Sequence, residues 1–342
     1  MKKLITLLLT AFIITSVQVQ ASDIEVLPTM MSRSNEQDRV WVGSFQLVWN
    51  DFMDKVVFNP IRFREGTPQI VRDLNRQTFT SSDLSDKSYY KTTAKVTKNL
   101  KKQIAKAIRK KFKEHSDIID KMDLTPRNDK YFIYAMLKKD FEFTKEFDKL
   151  GESYFGDGQI AEYFGIAPES DEALNSGVRV LFYNSPEDFA VALMTKDNEE
   201  VYIYKNASNK AFNLLYSDMW KKAKAFSGKI ELKENDELKV PNIKFFVEKE
   251  FEELANRRVM GTNLVIAQAV ETVKFGMNNK GVELKSEAGM SFVTTSLLPS
   301  EEEPRFFYCD DTFVVFIKEK TKRKPYFALR VNDISKFQNG KK

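Results

Sequence analysis

The chain carries a single cysteine, Cys309, behind an N-terminal segment typical of exported proteins. Two lysines precede an apolar run over residues 4–14, and Ala21 ends a short stretch of side chains that a signal peptidase accepts. We therefore expect a cleaved signal peptide over residues 1–21 and a mature chain that starts at Ser22 and is secreted or periplasmic. One cysteine cannot form an internal disulfide, so the hydrophobic core must hold the mature chain together.

The composition indicates one large core. Apolar residues make up 42% of the chain and 28 residues are phenylalanine, whereas charged residues make up 30% and fit a soluble surface. After the leader the sequence has no apolar run of membrane-spanning length, no clear linker and no internal repeat. We therefore predict a single domain over residues 22–342. The net charge of +5 is too mild to indicate nucleic acid as a partner.

The residue inventory limits catalysis and metal binding. With one histidine, His115, and one cysteine, a zinc site made of several His and Cys ligands is impossible. Cys309 adjoins an apolar strand, which favours a buried and inert thiol. His115 precedes Ser116 and Asp117, so either a Ser–His–Asp triad or an exposed histidine at a helix end explains it. We find no phosphate-binding glycine loop, dinucleotide fingerprint or calcium loop, and we expect neither a cofactor nor an enzyme.

The early part of the chain favours helices. Residues 22–40 look like a polar lead-in, and residues 41–57 have the apolar spacing of an amphipathic helix. Residues 62–92 are polar and poorly periodic, which indicates loops with short elements. Residues 95–114 form the clearest helix. Its apolar residues recur every four positions, at Val96, Leu100, Ile104, Ile108 and Phe112.

This clearest helix is also strongly basic. Eight lysines and arginines lie between Lys98 and Lys113. They form either a surface that contacts a polyanion or a solvated face opposite the buried stripe.

Strands dominate from residue 131 onward. Tyr131–Leu137 is apolar on both faces, which predicts a central strand covered on two sides. Further strands are predicted over residues 178–183, 189–194, 201–204, 243–247, 270–277, 313–317 and 326–331. Helices are predicted over residues 211–226 and 251–260. The mixture indicates an α+β fold.

Several segments together match the motifs of one known family. Residues 132–143 and the Phe147-Asp148 pair resemble a central-sheet strand that leads into a tryptophan and a Pro-Phe pair, with Phe143 at the tryptophan position. Residues 178–194 resemble paired strands with a Leu-Pro-Tyr turn, and residues 240–248 resemble a Leu-Pro-x-Phe strand. In this order the segments resemble the C-terminal part of a serpin.

The last two predicted strands give the best match. Residues 307–319 are similar to the serpin ending F-x-A-D-x-P-F-x-F-x-I, and residues 326–331 are similar to x-F-M-G-R-V, with Thr312 and Leu329 replacing the proline and the glycine. The resemblance covers the chain from about residue 100, and the part before it is short for the family. It implies a serpin-like α+β fold with helices packed on a large central β-sheet, further C-terminal strands and an exposed reactive-type loop.

The resemblance places the reactive loop ahead of the last two strands. Its hinge would comprise Glu287, Ala288, Gly289, Met290 and Ser291. Its scissile region would comprise Ser296, Leu297, Leu298 and Pro299. The two leucines imply a chymotrypsin-like or elastase-like protease.

Side chains along the hinge alternate between two faces. Ala288, Met290 and Phe292 form a mostly apolar face that suits burial against a core, while Lys285 and Glu287 would face solvent. Such a segment is compatible with insertion into a sheet after cleavage. Because Met290 and Phe292 are bulky for a hinge, an ordinary mobile loop is an equal alternative.

The resemblance implies a secreted protease inhibitor, a monomer whose partner is a serine or cysteine protease. The alternative is a non-inhibitory serpin-fold binding protein of the cell envelope or the extracellular space, which the shortened N-terminal part favours. A hydrolase that uses His115 is a third hypothesis.

Overall fold

The computed structural model describes residues 24–116, 119, 120, 122, 124, 125, 131–266, 268–283 and 303–338. These residues form an α+β fold in which helices pack on large β-sheets. Its α-helices are α1 Gly43–Phe52, α2 Gln69–Leu74, α3 Leu100–Phe112 and α4 Phe212–Ala225. Its strands are β1 Glu25–Leu27, β2 Arg39–Val42, β3 Tyr89–Lys95, β4 Tyr131–Leu137, β5 Asp140–Glu142, β6 Asp148–Phe155, β7 Gln159–Ile166, β8 Val178–Ser185, β9 Asp188–Met194, β10 Glu199–Lys205, β11 Glu237–Pro241, β12 Ile243–Glu250, β13 Arg257–Arg258, β14 Val265–Ile266, β15 Val270–Asn278, β16 Gly281–Glu283, β17 Phe306–Tyr308, β18 Phe313–Glu319 and β19 Phe327–Val331.

The largest sheet joins the predicted meander to the last two strands of the chain. Its order is β1-β2-β19-β18-β10-β9-β8. The strands β8, β9 and β10 pair antiparallel in succession, and β10 pairs with β18 in a register that sets Ile203 opposite Val315. Every residue of β18 and β19 is buried. Both faces of these strands are therefore covered, which explains the continuous apolar run over residues 313–317.

The polar lead-in expected over residues 22–40 is wrong for its described part. Residues 24–40 contain β1 and the start of β2, and the two strands pair in parallel. The second of them pairs antiparallel with β19, and its Trp41 is fully buried. These strands are short and separated by polar residues, so the local pattern hides them. Their pairing with the far end of the chain fixes them.

A four-stranded sheet lies beside the largest one, in the order β17-β11-β7-β6. It sets β17 parallel to β11, while β7 pairs antiparallel with both β11 and β6. At Gly165 the backbones of β7 and β11 approach so closely that a Cβ would lie 1.8 Å from the carbonyl oxygen of Leu238. Only glycine fits this crossing without separating the strands.

A second four-stranded sheet has the order β12-β15-β16-β5. Along β15 buried and half-buried residues alternate, and Glu271, Val273, Phe275 and Met277 form the buried face. The strand predicted over residues 270–277 is therefore confirmed, with one face toward the core. The strand predicted over residues 243–247 is also confirmed, as part of β12.

The helix predicted over residues 251–260 is wrong. Turns follow Phe251, and the chain then forms β13, which pairs with β14. Asn256 adopts a left-handed backbone with φ of 58°, which stops any helix there. Phe251 and Leu254 are buried as the pattern required, but turns are enough to bury both.

The helix predicted over residues 41–57 is confirmed over α1 and extends as a π-helical turn, Met53–Val57. The amphipathic prediction is wrong in one respect, because Gln46, Asn50 and Asp51 are buried along with the apolar residues. The amide nitrogen of Gln46 donates to Asn50 Oδ1 and to the carbonyl oxygen of Leu74, at 2.8 Å each, while its buried Oε1 has no partner among the described residues.

A small second core lies under α3. Leu100, Ile104 and Ile108 form the buried stripe of the helix and pack against Phe132 and Tyr134 of β4, which confirms three of the five predicted stripe residues. The helix begins at Leu100 and not at residue 95, so the buried Val96 precedes it. The strand β4 also contacts α1. The second core is a cluster separate from the main one.

Candidate functional site

The short strand β16 lies between two other strands. Gly281–Glu283 pairs antiparallel with β15 on one side and with β5 on the other. Val282 stands opposite Met277 and opposite Phe141, and its side chain is 1% exposed. The chain therefore enters this sheet as an inner strand just before residue 284.

The edges that flank β16 continue beyond it. Among the described residues, no strand pairs with the Val270 to Phe275 edge of β15 on the side that carries β16. On the opposite side two residues separate the end of β4 from the start of β5, and within the described chain β4 pairs only with β3. We call this place between β15 and β4 the strand slot. Strand edges with unused N–H and C=O groups accept another strand.

A buried carboxyl group lies at the strand slot. Glu271 of β15 accepts a hydrogen bond of 2.7 Å from Ser44 Oγ, at the start of α1. Its Oε2 atom is buried and has no partner among the described residues. Burial raises the pKa of Glu271 to about 8, although hydrogen bonds from Ser44 and the backbone of Phe45 favour the ionised form.

A buried ion cluster lies at the other wall of the slot. Lys139, between β4 and β5, donates to Oε1 of Glu199 and, at 2.7 Å, to Oε1 of Glu319. Glu319 also accepts hydrogen bonds from the backbone N–H of Ser85 and from Ser88 Oγ. The cluster therefore connects the wall of the slot to the ends of β10 and β18 in the largest sheet.

The residues expected to act in the loop lie outside the described residues. This holds for the hinge and for the scissile region, which are Glu287, Ala288, Gly289, Met290, Ser291, Ser296, Leu297, Leu298 and Pro299. The described chain resumes at residue 303 and leads into β17. There Asp236 accepts hydrogen bonds from the backbone N–H and from the guanidinium of Arg305. These bonds hold the chain in place directly before β17.

The two candidate catalytic side chains differ in their exposure to solvent. Cys309 is fully buried, and burial raises the pKa of its thiol. His115 is exposed near the end of α3, and the neighbouring Ser116 Oγ accepts hydrogen bonds from Ile119 N–H and Tyr134 Oη. The third triad residue, Asp117, lies outside the described residues. In the described ranges no cluster of three or more His, Cys, Asp or Glu side chains could hold a metal ion.

A cavity of about 360 Å³ lies between α4 and the strands β8, β10 and β18. Its aromatic lining is Tyr202, Tyr216 and Trp220, and the ring centroids of Tyr202 and Trp220 are 5.5 Å apart. Burial raises the pKa of Tyr216 to about 12, so its hydroxyl is neutral at physiological pH. A flat apolar group can therefore pack against this wall.

The rest of the lining is mostly cationic. Glu200 is the one acidic lining residue. It accepts a hydrogen bond from Tyr202 Oη and forms ion pairs with Arg179 and Lys318. Burial would raise the pKa of Glu200, but these partners outweigh it and the net shift is downward. The other cations of the lining are Lys224 and Arg323, which form no ion pair within the described chain. The cavity thus combines an aromatic wall with unneutralised positive charge.

The basic helix presents its charge outward. Lys101, Lys102, Lys106 and Lys110 of α3 are exposed, and α3 contains no acidic residue. Lys101 forms an ion pair of 2.6 Å with Asp120. No helix of the described residues has the length and apolar character needed to cross a membrane.

Comparisons with known proteins give matches among solved structures alone. No family model matches the chain, and no curated protein matches its sequence. The crystal structure of Serpin48, described as a highly specific serpin of the insect Tenebrio molitor, is 14% identical over 87% of this chain and 92% of that chain, with a TM-score of 0.49. Thyroxine-binding globulin in complex with thyroxine is 14% identical over 68% of this chain and 64% of that one, with a TM-score of 0.45. A human thyroxine-binding globulin complex is 11% identical over 89% and 77%, with a TM-score of 0.43.

The sheets define an α+β protein in which the short strand β16 lies between the strands β15 and β5 of one sheet. The α+β class predicted from the sequence is confirmed by these helices and sheets. Sequence reasoning missed the cavity, because its lining comes from four separate elements. It also missed β16, whose partners in β5 are far away in sequence.

Proposed function

We propose that the chain is a secreted serpin-like protease inhibitor whose segment 284–302 is an exposed reactive loop that inserts into the strand slot after cleavage. The observation that carries this proposal is the place of β16 between β15 and β5, because the segment begins as an inner strand of the sheet it would join. Adding a strand supplies main-chain hydrogen bonds along both edges of the slot.

The register of β16 supports the insertion. Continued in the same antiparallel register, Leu284 would stand opposite Phe275, Ser286 opposite Val273 and Ala288 opposite Glu271. Residues directly opposite each other share one face of a sheet, and Val282 and these three partners in β15 are buried.

The alternation of the segment agrees with that register. Leu284, Ser286, Ala288 and Met290 would face the core, whereas Lys285 and Glu287 would face solvent. No charged side chain of this stretch would be buried. This is the requirement that an inserting strand must meet.

The target we propose is a serine or cysteine protease that cuts near Leu297 or Leu298. The test is a denaturing gel after mixing the mature chain in turn with elastase-like, chymotrypsin-like, trypsin-like and papain-like proteases. We expect a band at the summed mass and a cut within residues 294–302. A cut elsewhere, or nicking with no complex, would contradict inhibition.

Two matched variants separate insertion from cleavage. Ser286→Arg places a cation on the inward face, so we expect cleavage to continue while the complex and the gain of heat stability after cleavage are lost. Glu287→Arg adds the same side chain on the outward face and should leave both intact. Equal behaviour of the two variants would refute the register.

The second candidate function is a non-inhibitory binding protein, and the cavity beside α4 favours it. Its aromatic wall and its unpaired Lys224 and Arg323 fit a flat organic anion. Calorimetric titration with 2-naphthalenesulfonate tests this, with neutral 2-naphthalenemethanol as the matched ligand. We expect saturable binding of the sulfonate alone, weakened by Arg323→Gln and unchanged by Lys221→Gln, an exposed lysine of α4 outside the cavity.

The exposed cations of α3 support a further partner, a polyanion bound along this helix. The salt concentration that elutes the chain from immobilised heparin tests the contact. Replacing Lys102, Lys106 and Lys110 by glutamine should lower it. The same change at the exposed Lys221, Lys229 and Lys244 should leave the eluting salt concentration unchanged. An equal decrease for both variants would show that heparin binding depends on net charge and not on a site along α3.

A further inference from the structure

The wall of the strand slot is a separately packed unit. Residues 89–137 contain β3, α3 and β4, and we call them the β3–α3–β4 unit. Most of its buried apolar side chains form the second core with one another, apart from the main cluster. A unit with its own core can shift as a body only by breaking its contacts with the rest of the molecule, and here these are the packing of β3 and β4 against α1 and the junction described next.

The unit meets the main core at one end. Tyr89 and Leu137, which stand opposite each other in β3 and β4, pack in the main cluster. Lys139 lies two residues beyond Leu137, at the same end. Farther along β3, an ion pair of 2.7 Å between Lys91 and Asp51 also connects the unit to α1.

Lys139 is a buried charge at this junction. Its side chain is 12% exposed, and those of Glu199 and Glu319 are 5% and 1% exposed. The carboxylates belong to the ends of β10 and β18, which neighbour each other in the largest sheet. One ammonium group therefore ties the wall of the slot to two strands of another sheet.

We propose that the contact of Lys139 with Glu199 and Glu319 is a clamp that fixes the β3–α3–β4 unit against the largest sheet and resists its sideways movement. Only the purpose of the clamp rests on the proposed function: the clamp would set how readily a strand enters the slot. Lys139 is next to the slot, because the continued register of β16 sets Leu284 opposite Lys139. Any widening of the slot beside β4 would stretch these ion pairs, whose strength depends on short distance and on burial.

The test compares the full mature chain with a neutral clamp variant, Lys139→Met with Glu199→Gln and Glu319→Gln. Hydrogen exchange measures local opening of the uncut chain. We expect amides of β3 and β4 to exchange about tenfold faster in the variant, while amides of β8 and β9 keep their rates. The control, Lys205→Met with Asp310→Asn, removes an ion pair of 2.5 Å between the buried Lys205 and the partly exposed Asp310, away from the unit, and should leave β3 and β4 unchanged.

A second measurement follows the gain of heat stability after the loop is nicked. The neutral clamp variant should reach its final stability about tenfold sooner than the parent chain. Unchanged exchange in β3 and β4, or a rise of the same size in β8 and β9, would overturn the clamp. If the parent chain gains no stability on nicking, the inhibitor proposal fails, and the exchange rates alone still decide whether the clamp exists.

Discussion

The ammonium of Lys139 lies 2.7 Å from Oε1 of Glu319, inside a junction where both side chains are almost fully shielded from water. Burying such groups is costly unless each charge is paired, and Lys139 is the one cation within salt-bridge distance of either Glu199 or Glu319 in the described chain. The stability of this region therefore depends on keeping the cluster complete or removing it as a whole.

Replacing Lys139 alone should be more harmful than neutralising the whole cluster. Lys139→Met leaves two carboxylates buried without a cation, so we expect the free energy of unfolding to fall by about 3–5 kcal/mol. The neutral clamp variant should lose far less, because no uncompensated charge remains. Urea denaturation measures both, and equal losses would contradict the argument.

Glu271 should make stability depend on pH. Its pKa is raised to about 8 in the folded chain from an ordinary value of 4.5, so the folded state keeps a proton that the unfolded state releases. This stabilising contribution is complete below pH 4.5 and is lost as the pH rises toward 8, by about 1.4 kcal/mol per pH unit.

Glu271→Gln should remove this dependence. We expect the stability of the variant relative to the parent chain to increase steadily between pH 5 and pH 8, as measured by urea midpoints. The exposed Glu253→Gln is the control and should show no such trend. A stability difference that does not change with pH would show that Glu271 keeps an ordinary pKa.

Gly165→Ala should separate two strands of the four-stranded sheet. A Cβ at this position would lie 1.8 Å from the carbonyl oxygen of Leu238, so β7 and β11 must move apart. We expect a loss of more than about 3 kcal/mol in thermal unfolding. At Gly177 the corresponding Cβ would make an ordinary contact of 3.5 Å with Phe147, and Gly177→Ala should be nearly neutral.

Processing of the leader is directly measurable. If residues 1–21 form a cleaved signal, the exported chain begins at Ser22, and N-terminal sequencing of secreted or periplasmic material will show it. A chain expressed without residues 1–21 is the control and should stay in the cytoplasm. Exported protein that still begins at Met1 would contradict the prediction.

Most strands could be predicted because their sequences carry the pattern of their own burial. The strands β9 and β18 each contain a run of five or more apolar residues because both faces are covered, and β12 alternates because one of its faces is exposed to solvent. The strand β6 shows neither pattern, since most of its residues are exposed at the edge of a sheet, and sequence reasoning passed over it. The local apolar pattern therefore predicts strands that are buried. It misses a strand that is held mainly by backbone hydrogen bonds to its neighbour.

The candidate site was only partly predictable, for a related reason. The alternation that separates Ala288 from Glu287 is a local property of the sequence, but both residues lie outside the described residues, so their faces stay a prediction. The slot depends on pairing between β16 and β5, and the cavity needs Arg179, Trp220 and Arg323 from three distant parts of the chain. Such long-range contacts leave no trace in the spacing of neighbouring residues.

The burial of Cys309 turns the single thiol into a built-in reporter. Its backbone N–H donates to the carbonyl oxygen of Lys239 at 2.8 Å, and its side chain has no access to solvent. A thiol reagent can therefore react only when this part of the core opens, and with one cysteine in the chain every labelled molecule records one such event. Labelling rates would thus time the opening of the native protein, before and after cleavage, without an engineered probe.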